Sequence, residues 1–349
     1  MKIEQIYTGC LAQGAYFIES NGEIAIIDPL REVQPYVDKA EKANGKIKYI
    51  FETHFHADFV SGHVTLAEKT GAKIVFGPTA QTNFDALIAE DNQVFTIGNI
   101  TITALHTPGH TMESTCYLLK DENGKDYCVF TGDTLFVGDV GRPDLAQGGD
   151  LTMSELAGML YESLQKKIMP LADDVIVYPA HGPGSSCGKN LGPETHSTIA
   201  EQKADNYALQ QQSKEEFIKA VTNGLEAPPK YFPVNARINK EGYGLMDVLL
   251  KKGLTALSVE QFKELSKEPK TLILDTRHAD TFTLGFIPGS ISIGLEGRFA
   301  EWAGALLPFD ENILLVCEDG KEEETIVRLA RVGFDKVSGY LAGGFEAWS

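Results

Sequence analysis

Residues 53–63 read THFHADFVSGH. His54, His56 and Asp58 are metal-ligand types at a spacing that lets one loop turn several donors toward a cation. Three other segments end in the same kind of residue. TITALHTPGH supplies His106 and His110, DYCVFTGD supplies Asp133, and DVIVYPAHG supplies His181. The chain has only eight histidines, and six lie in or beside these loops. One buried histidine is more often a satisfied core residue than a ligand. Four strand-end clusters are hard to explain that way, and they point to a metal.

Such donors must be gathered by the fold. Each ligand loop follows a short apolar run that reads as a buried strand, and strand carboxyl ends collect along one edge of a layered α/β fold. AYFIES and EIAIIDP read as strands joined at Asn21-Gly22, a hairpin signal. Helical patterns over Val33 to Ala43, His63 to Thr70 and Ser154 to Lys167 interleave with the strands. This order suits two sheets packed face to face with helices outside. APPKYFPVNARINKEGYG, rich in Pro, Gly and aromatics, reads as an ordered arm closing this first domain, 1–253. A second, smaller α/β unit covers 254–349, with strands in TLILDTR, SISIG and NILLVCEDG and a helix from Lys321 to Arg331.

Of the 349 residues, 43% are hydrophobic and 23% charged, as in ordinary globular proteins. The net charge is −18, shared as −7 from Leu254 onward and −11 before it. Nucleic acid and anionic membrane surfaces are therefore poor partners, because both need a basic footprint. No apolar run approaches the length of a membrane span, and the first residues lack a signal-peptide core. Five scattered cysteines, an odd number, read as free thiols in a reducing compartment, hence the cytoplasm.

THFHAD, HTPGHT, TGD and PAHG, in that order, resemble the metallo-β-lactamase fold superfamily over roughly residues 1–250. The resemblance implies an αββα sandwich with the metal at the edge between the sheets. Most members hold two zinc ions. The first would take His54, His56 and His110; the second would take Asp58, the residue at 59 and His181, with Asp133 bridging. Position 59, commonly histidine, is Phe59 here. A benzyl group cannot ligate, so the second site lacks one of about four donors. His54, His110 and Asp133 would then form a two-histidine, one-carboxylate face, the ligand set of non-haem Fe(II) oxygen chemistry. Zinc tolerates the same ligands. His56, Asp58 and His181 would orient those ligands and hold water, and Phe59 would wall the site. The persulfide dioxygenase branch uses this mononuclear iron set, and TGDTLFVGDVGRPDL is similar to that branch.

Two residues near the loops carry two readings each. Arg142, in GRPD, is either a cation for an anionic substrate or a salt bridge within the fold. Cys187, in HGPGSSCGKNLG, is either a small inert loop residue or a thiol that relays sulfane sulfur, with Lys189 favouring its thiolate. Rhodanese-fused persulfide dioxygenases carry a similar cysteine.

From Leu254 to Ser349, LDTR, GFIPGSISI and GGFEAW resemble a rhodanese domain, with Cys317 at the position of the sulfur-carrying cysteine. The loop reads CEDGKEEE where the family usually places an arginine. Its acidic run would raise the thiol pKa and repel thiosulfate. The expectation is a degenerate rhodanese-like domain, with Cys317 as a working sulfurtransferase the minority reading. The segment stops just after GGFEAW, which is compatible with a longer natural chain. The combined expectation is an Fe(II) persulfide dioxygenase with one iron per chain. It would act with O2 on a small thiol persulfide of glutathione, coenzyme A or a similar carrier, and a homo-oligomer stays open. The alternatives are a zinc thioester hydrolase of glyoxalase II type and a non-catalytic carrier of sulfane sulfur.

Overall fold

In the computed structural model, which describes residues 1–145, 151–211 and 213–349, the first 242 residues build two six-stranded sheets. The first sheet runs in chain order: β1 (Lys2–Thr8), β2 (Gln13–Ser20), β3 (Glu23–Ile27), β4 (Lys46–Phe51), β5 (Lys73–Phe76) and β6 (Leu87–Ile88). The second contains β7 (Val94–Ile97), β8 (Ile100–His106), β9 (Thr115–Lys120), β10 (Asp126–Gly132), β11 (Ile176–Pro179) and β12 (Ser197–Thr198), laid side by side in sequence order. Asn21 and Gly22 make the β2–β3 turn with φ of 50° and 80°, the left-handed pair that suits the twist of a two-residue hairpin.

The inner strands β2, β3, β9 and β10 are covered on both faces and buried almost throughout, whereas β7, β8 and β11 alternate. On β2, Tyr16 and Ile18 point between the sheets with Phe51, Phe95, Tyr117 and Phe130. Its Ala15 and Phe17 point the other way, against Tyr36 of α1 (Gln34–Lys42) and Leu66 of α2 (His63–Thr70). The outer face of the second sheet packs on α3 (Met153–Ser163) and α5 (Lys214–Thr222), through Leu160 and Phe217. Between these lies α4 (Ile199–Asp205). The result is the αββα sandwich expected from the sequence.

The segment read as an arm contains a helix, α6 (Phe232–Glu241), with a proline in its first turn. Proline there loses nothing, because the first helical N–H groups lack intrahelical partners anyway. Proline density misled the sequence reading.

The second unit, Tyr243–Ser349, begins earlier than the boundary expected at 254. The reason is α7 (Met246–Gly253), which packs on elements of this unit: a Cβ at Gly253 would stand 2.8 Å from Ile326. A five-stranded parallel sheet follows, β13 (Ala256–Leu257), β14 (Thr271–Asp275), β15 (Ile291–Ser292), β16 (Asn312–Val316) and β17 (Val337–Leu341), in the order β13-β17-β16-β14-β15. Its helices are α8 (Val259–Leu265), α9 (Ala279–Leu284), α10 (Phe299–Leu306), α11 (Glu322–Ala330) and α12 (Gly344–Trp348). Among the described residues no helix is long and apolar enough to cross a membrane.

Candidate metal centre

The loops after β4, β8, β10 and β11 bring their ligand-type residues together. His54, His110 and Asp133 each offer an atom within 4.8 Å of the others, all buried; His56, Asp58 and His181 form a second such group. His110 Nε2 lies 3.4 Å and His54 Nε2 3.8 Å from Asp133 Oδ2. His181 Nε2 lies 3.5 Å from Asp133 Oδ1 and 3.4 Å from Asp58 Oδ2.

Backbone and hydroxyl partners fix which ring nitrogen faces inward. His110 Nδ1 donates to the Arg142 carbonyl at 2.9 Å. His181 Nδ1 faces the Ala12 carbonyl at 3.2 Å, which can only accept. His54 Nδ1 is 3.0 Å from Thr53 Oγ1, whose own proton goes to Asp28 Oδ2 at 2.8 Å. In all three imidazoles the Nε2 lone pair is thereby left for a cation, the arrangement by which outer partners orient metal ligands. Burial first, then His56, His110 and His181, holds His54 well below its ordinary pKa, so it stays neutral. His181 Nε2 and Asp58 Oδ1 are buried with no hydrogen-bond partner among the described residues. Orphaned lone pairs of this kind cost stability unless something binds them, so the donor set fits a metal ion.

His56 is held differently. Its Nε2 lies 3.1 Å from Asp28 Oδ1 and 3.8 Å from Glu52 Oε2. Burial pulls its pKa down, but Asp28, Glu52 and Asp58 outweigh that and raise it to about 9. Phe59 is fully buried, and its ring lies on the His56 ring with centroids 4.4 Å apart. Asn239, on α6, donates to the carbonyls of both His56 and Phe59 at 2.8 Å and accepts from Ser61 N at 2.9 Å.

Asp28 and Asn239 escaped the sequence reading. Asp28 ends β3 in IIDP, the same strand-end signal that marks the ligand loops, and could have been found. It holds the left-handed region at φ 49°, an unfavourable conformation for a residue with a side chain. Asn239 had no sequence signal.

Arg142 is buried. Its guanidinium forks onto Asp144 with two 2.7 Å bonds and also donates to the carbonyls of Ser186 and Glu226. These contacts favour the salt-bridge reading, with an added role: its carbonyl positions His110. Gly141 makes that approach feasible, since a Cβ there would meet Asp133 O at 1.9 Å and His110 Nδ1 at 2.9 Å.

Cys187 is buried beside the ligands, within 4.8 Å of Asp133 and His181. Lys189 does not activate it, because its Nζ donates to the carbonyls of Ala220 and Asn223. Burial, then Asp58 and Asp133, pushes the thiol well above its ordinary pKa. Cys317, just past β16, is pushed up to about 11, mainly by burial, with Glu322 and Asp275 adding to it against hydrogen bonds from Thr276 and Thr325.

Residues 8–181 match the metallo-beta-lactamase superfamily and residues 258–349 the rhodanese-like domain. The human mitochondrial persulfide dioxygenase ETHE1 is 31% identical over 203 residues, 58% of this chain and 72% of that protein. A probable hydroxyacylglutathione hydrolase of Schizosaccharomyces pombe is 29% identical over 181 residues, 50% of this chain and 66% of that protein. The chain thus spans about two thirds of the length of these two relatives. The crystal structure of a metallo-beta-lactamase from Staphylococcus aureus superposes with a TM-score of 0.84 at 30% identity, covering 98% of each chain.

Proposed function

The chain belongs to the metallo-β-lactamase superfamily and carries a C-terminal rhodanese-like domain, and on that premise we propose that it is a persulfide dioxygenase holding one Fe(II). The substrate is a low-molecular-weight thiol persulfide, R–S–SH, of glutathione, coenzyme A or a similar thiol. Persulfide, O2 and one water give R–SH and sulfite with release of two protons. The observation that carries the reading is the buried His54, His110 and Asp133 face, together with Phe59, packed on His56, at the sequence position where the family pattern has a further ligand.

Fe(II), when bound, supplies redox-active Lewis-acid chemistry with open positions. The chain's own part is positioning. Arg142 O and Thr53 Oγ1 fix the His110 and His54 rings, and Asp28 anchors Thr53 and His56. Phe59 and Phe136, both fully buried and against His56 and His181, keep bulk water from that flank. In this reading Cys187, buried beside Asp133 and His181, is the thiol that takes sulfane sulfur from R–S–SH and releases R–SH. The odd, scattered cysteines support a cytoplasmic setting for this reading.

A zinc-dependent thioester hydrolase is the second reading, favoured by the hydroxyacylglutathione hydrolase relative at nearly the same identity. O2 uptake on a panel of thiol persulfides, with and without anaerobic Fe(II) reconstitution, separates the two. Iron-dependent uptake with sulfite formation is expected. Near-stoichiometric zinc, no O2 uptake and thioester hydrolysis would replace the dioxygenase with the hydrolase.

A further inference from the structure

We propose that Asp139 is a positioning residue for the sulfur chemistry of Cys187: its carboxylate clamps the loop of residues 182–192 so that the thiol stays beside Asp133 and His181. The inference rests on the sulfur-accepting role given to Cys187 above. That loop contains Gly182, Gly184, Gly188 and Gly192, and glycine gives up more conformational freedom on folding than any other residue. Its place must therefore be set by tethers, and the strip of residues 137–142 supplies them. Arg142 N–H donates to the Cys187 carbonyl at 3.1 Å, and Gly192 N–H donates to the Val137 carbonyl at 2.8 Å. Between these bonds, the N–H groups of Lys189 and Asn190 both donate to Asp139 Oδ2, at 2.6 Å and 2.5 Å.

Asp139 is itself a fixed point. It is fully buried. Its Oδ1 accepts from Val140 N at 2.8 Å, which holds the side chain in one orientation. Its carbonyl accepts from Phe136 N and from Asn206 Nδ2, both at 2.9 Å. Gly188, next to Cys187, lies directly on this frame: a Cβ there would stand 3.1 Å from Asp139 Oδ2 and 3.2 Å from the Phe136 ring. Phe136 in turn lies against His181. The strip starts four residues after Asp133, so one short run of chain sets the spacing between that ligand carboxylate and the Cys187 sulfur, which lie within 4.8 Å. Bonds from N–H groups to a carboxylate are charge-assisted and stronger than those to a neutral acceptor. A second tether pulls from the other side, where Lys189 Nζ donates to the carbonyls of Ala220 and Asn223 at the C-terminal end of α5. A misplacement of about 1 Å can cost about 100-fold in rate, so the clamp governs the transfer as well as the fold.

The test compares two reactions of Cys187 in the full, metal-loaded chain without O2, each read by mass spectrometry: alkylation by iodoacetamide, and sulfur uptake from glutathione persulfide. In Asp139→Ala the freed loop should expose the thiol and speed alkylation. Sulfur uptake should instead slow on the order of 100-fold, because the thiol has left its place beside the metal centre. A residue that only props up the fold would move both rates together. Asp139→Asn keeps one oxygen acceptor and should fall between. Lys189→Met, at an exposed side chain, should give the same opposed changes in smaller measure, and it decides the matter if Asp139→Ala fails to fold. Rates that rise together, rates that match wild type in both Asp139→Ala and Lys189→Met, or loss of the resident metal from the variants would overturn the clamp. Wild-type Cys187 that takes up no sulfur, alongside iron-dependent O2 uptake, would overturn it too and leave the dioxygenase reading intact. The opposed changes without any O2 uptake would keep the clamp and remove the dioxygenase.

Discussion

Asn239 Nδ2 donates to the Phe59 carbonyl at 2.8 Å. The bond ties a helix near the end of the first unit to the loop that carries His54, His56 and Asp58. The same amide reaches His56 O and Ser61 N, so one buried side chain closes three backbone groups of the metal loop. Asn239→Leu would leave those groups without partners, at about 1–3 kcal/mol for each that water cannot reach. The expected outcome is a loss on the order of 3 kcal/mol in chemical denaturation, together with weaker metal retention. Asn239→Asp keeps the acceptor for Ser61 N but cannot donate, and should fall between. Wild-type stability in Asn239→Leu would show that the loop holds its shape without α6.

His63 gives the protein an acid limit. Burial, then the neighbouring His56 charge, lowers its pKa to about 3, against about 6.5 in the unfolded chain. Between those values the unfolded state binds a proton that the folded state refuses, so stability rises with pH. The contribution is fully present above pH ~6.5 and is lost as pH falls toward ~3, on the order of 5 kcal/mol in total. The ring packs against Phe76 and Phe84, and its Nδ1 lies 3.5 Å from Glu52 Oε1, so His63→Phe keeps the ring packing while removing the titrating group. The difference between the wild-type and His63→Phe stability curves, measured by denaturant titration across that window, isolates the term from acid release of metal. Parallel curves would exclude His63 as its source.

Most of the ligand gathering was legible because it follows local rules: apolar strands end in His and Asp, and a layered fold collects strand ends along an edge. His54, His110, Asp133 and His181 come together on that basis. What was not legible depends on contacts distant in sequence. Lys189 stands two positions from Cys187 yet serves carbonyls at the C-terminal end of α5. Arg142 sits in a loop whose sequence suited a substrate cation and a salt bridge equally, and Asp144 occupies its guanidinium. Asn239 lies in a segment whose prolines and aromatics hid a helix. Spacing along the chain reports which residues can act, but burial and competing partners decide which way each one points.

Cys317 should be chemically quiet. A thiol pushed up to about 11 keeps a thiolate fraction at neutral pH roughly 100-fold below that of an ordinary cysteine. Glu322, Glu323 and Glu324 open α11, where they complement the helix N-terminus and disfavour an anionic sulfur donor. Iodoacetamide labelling at Cys317, read by mass spectrometry, should be slow in the native protein and fast after unfolding. Cys317→Ser should leave the O2 uptake proposed for the first domain unchanged. Rapid native labelling, or sulfur transfer from thiosulfate to cyanide that the substitution abolishes, would restore the active-rhodanese reading.

Phe59→His probes the ligand count itself. Phe59 is sealed in, with its ring on His56 and its carbonyl on Asn239, so the backbone at this position is already fixed and only the side-chain chemistry changes. An imidazole there adds a nitrogen donor beside Asp58 and His181, which lie 3.4 Å apart. A ligand gained directly should exceed the roughly 10–100-fold change that an outer partner makes, so second-metal affinity should rise by more than that. Asp133 then has both oxygens engaged, and the open single-metal face on which the proposed oxygen chemistry depends is lost. Metal content after anaerobic loading should move from one to two ions per chain, and O2 uptake on the persulfide should fall. Stoichiometry that stays at one with O2 uptake intact would mean that Phe59 is packing alone, and that something other than the missing ligand sets the chemistry of this site.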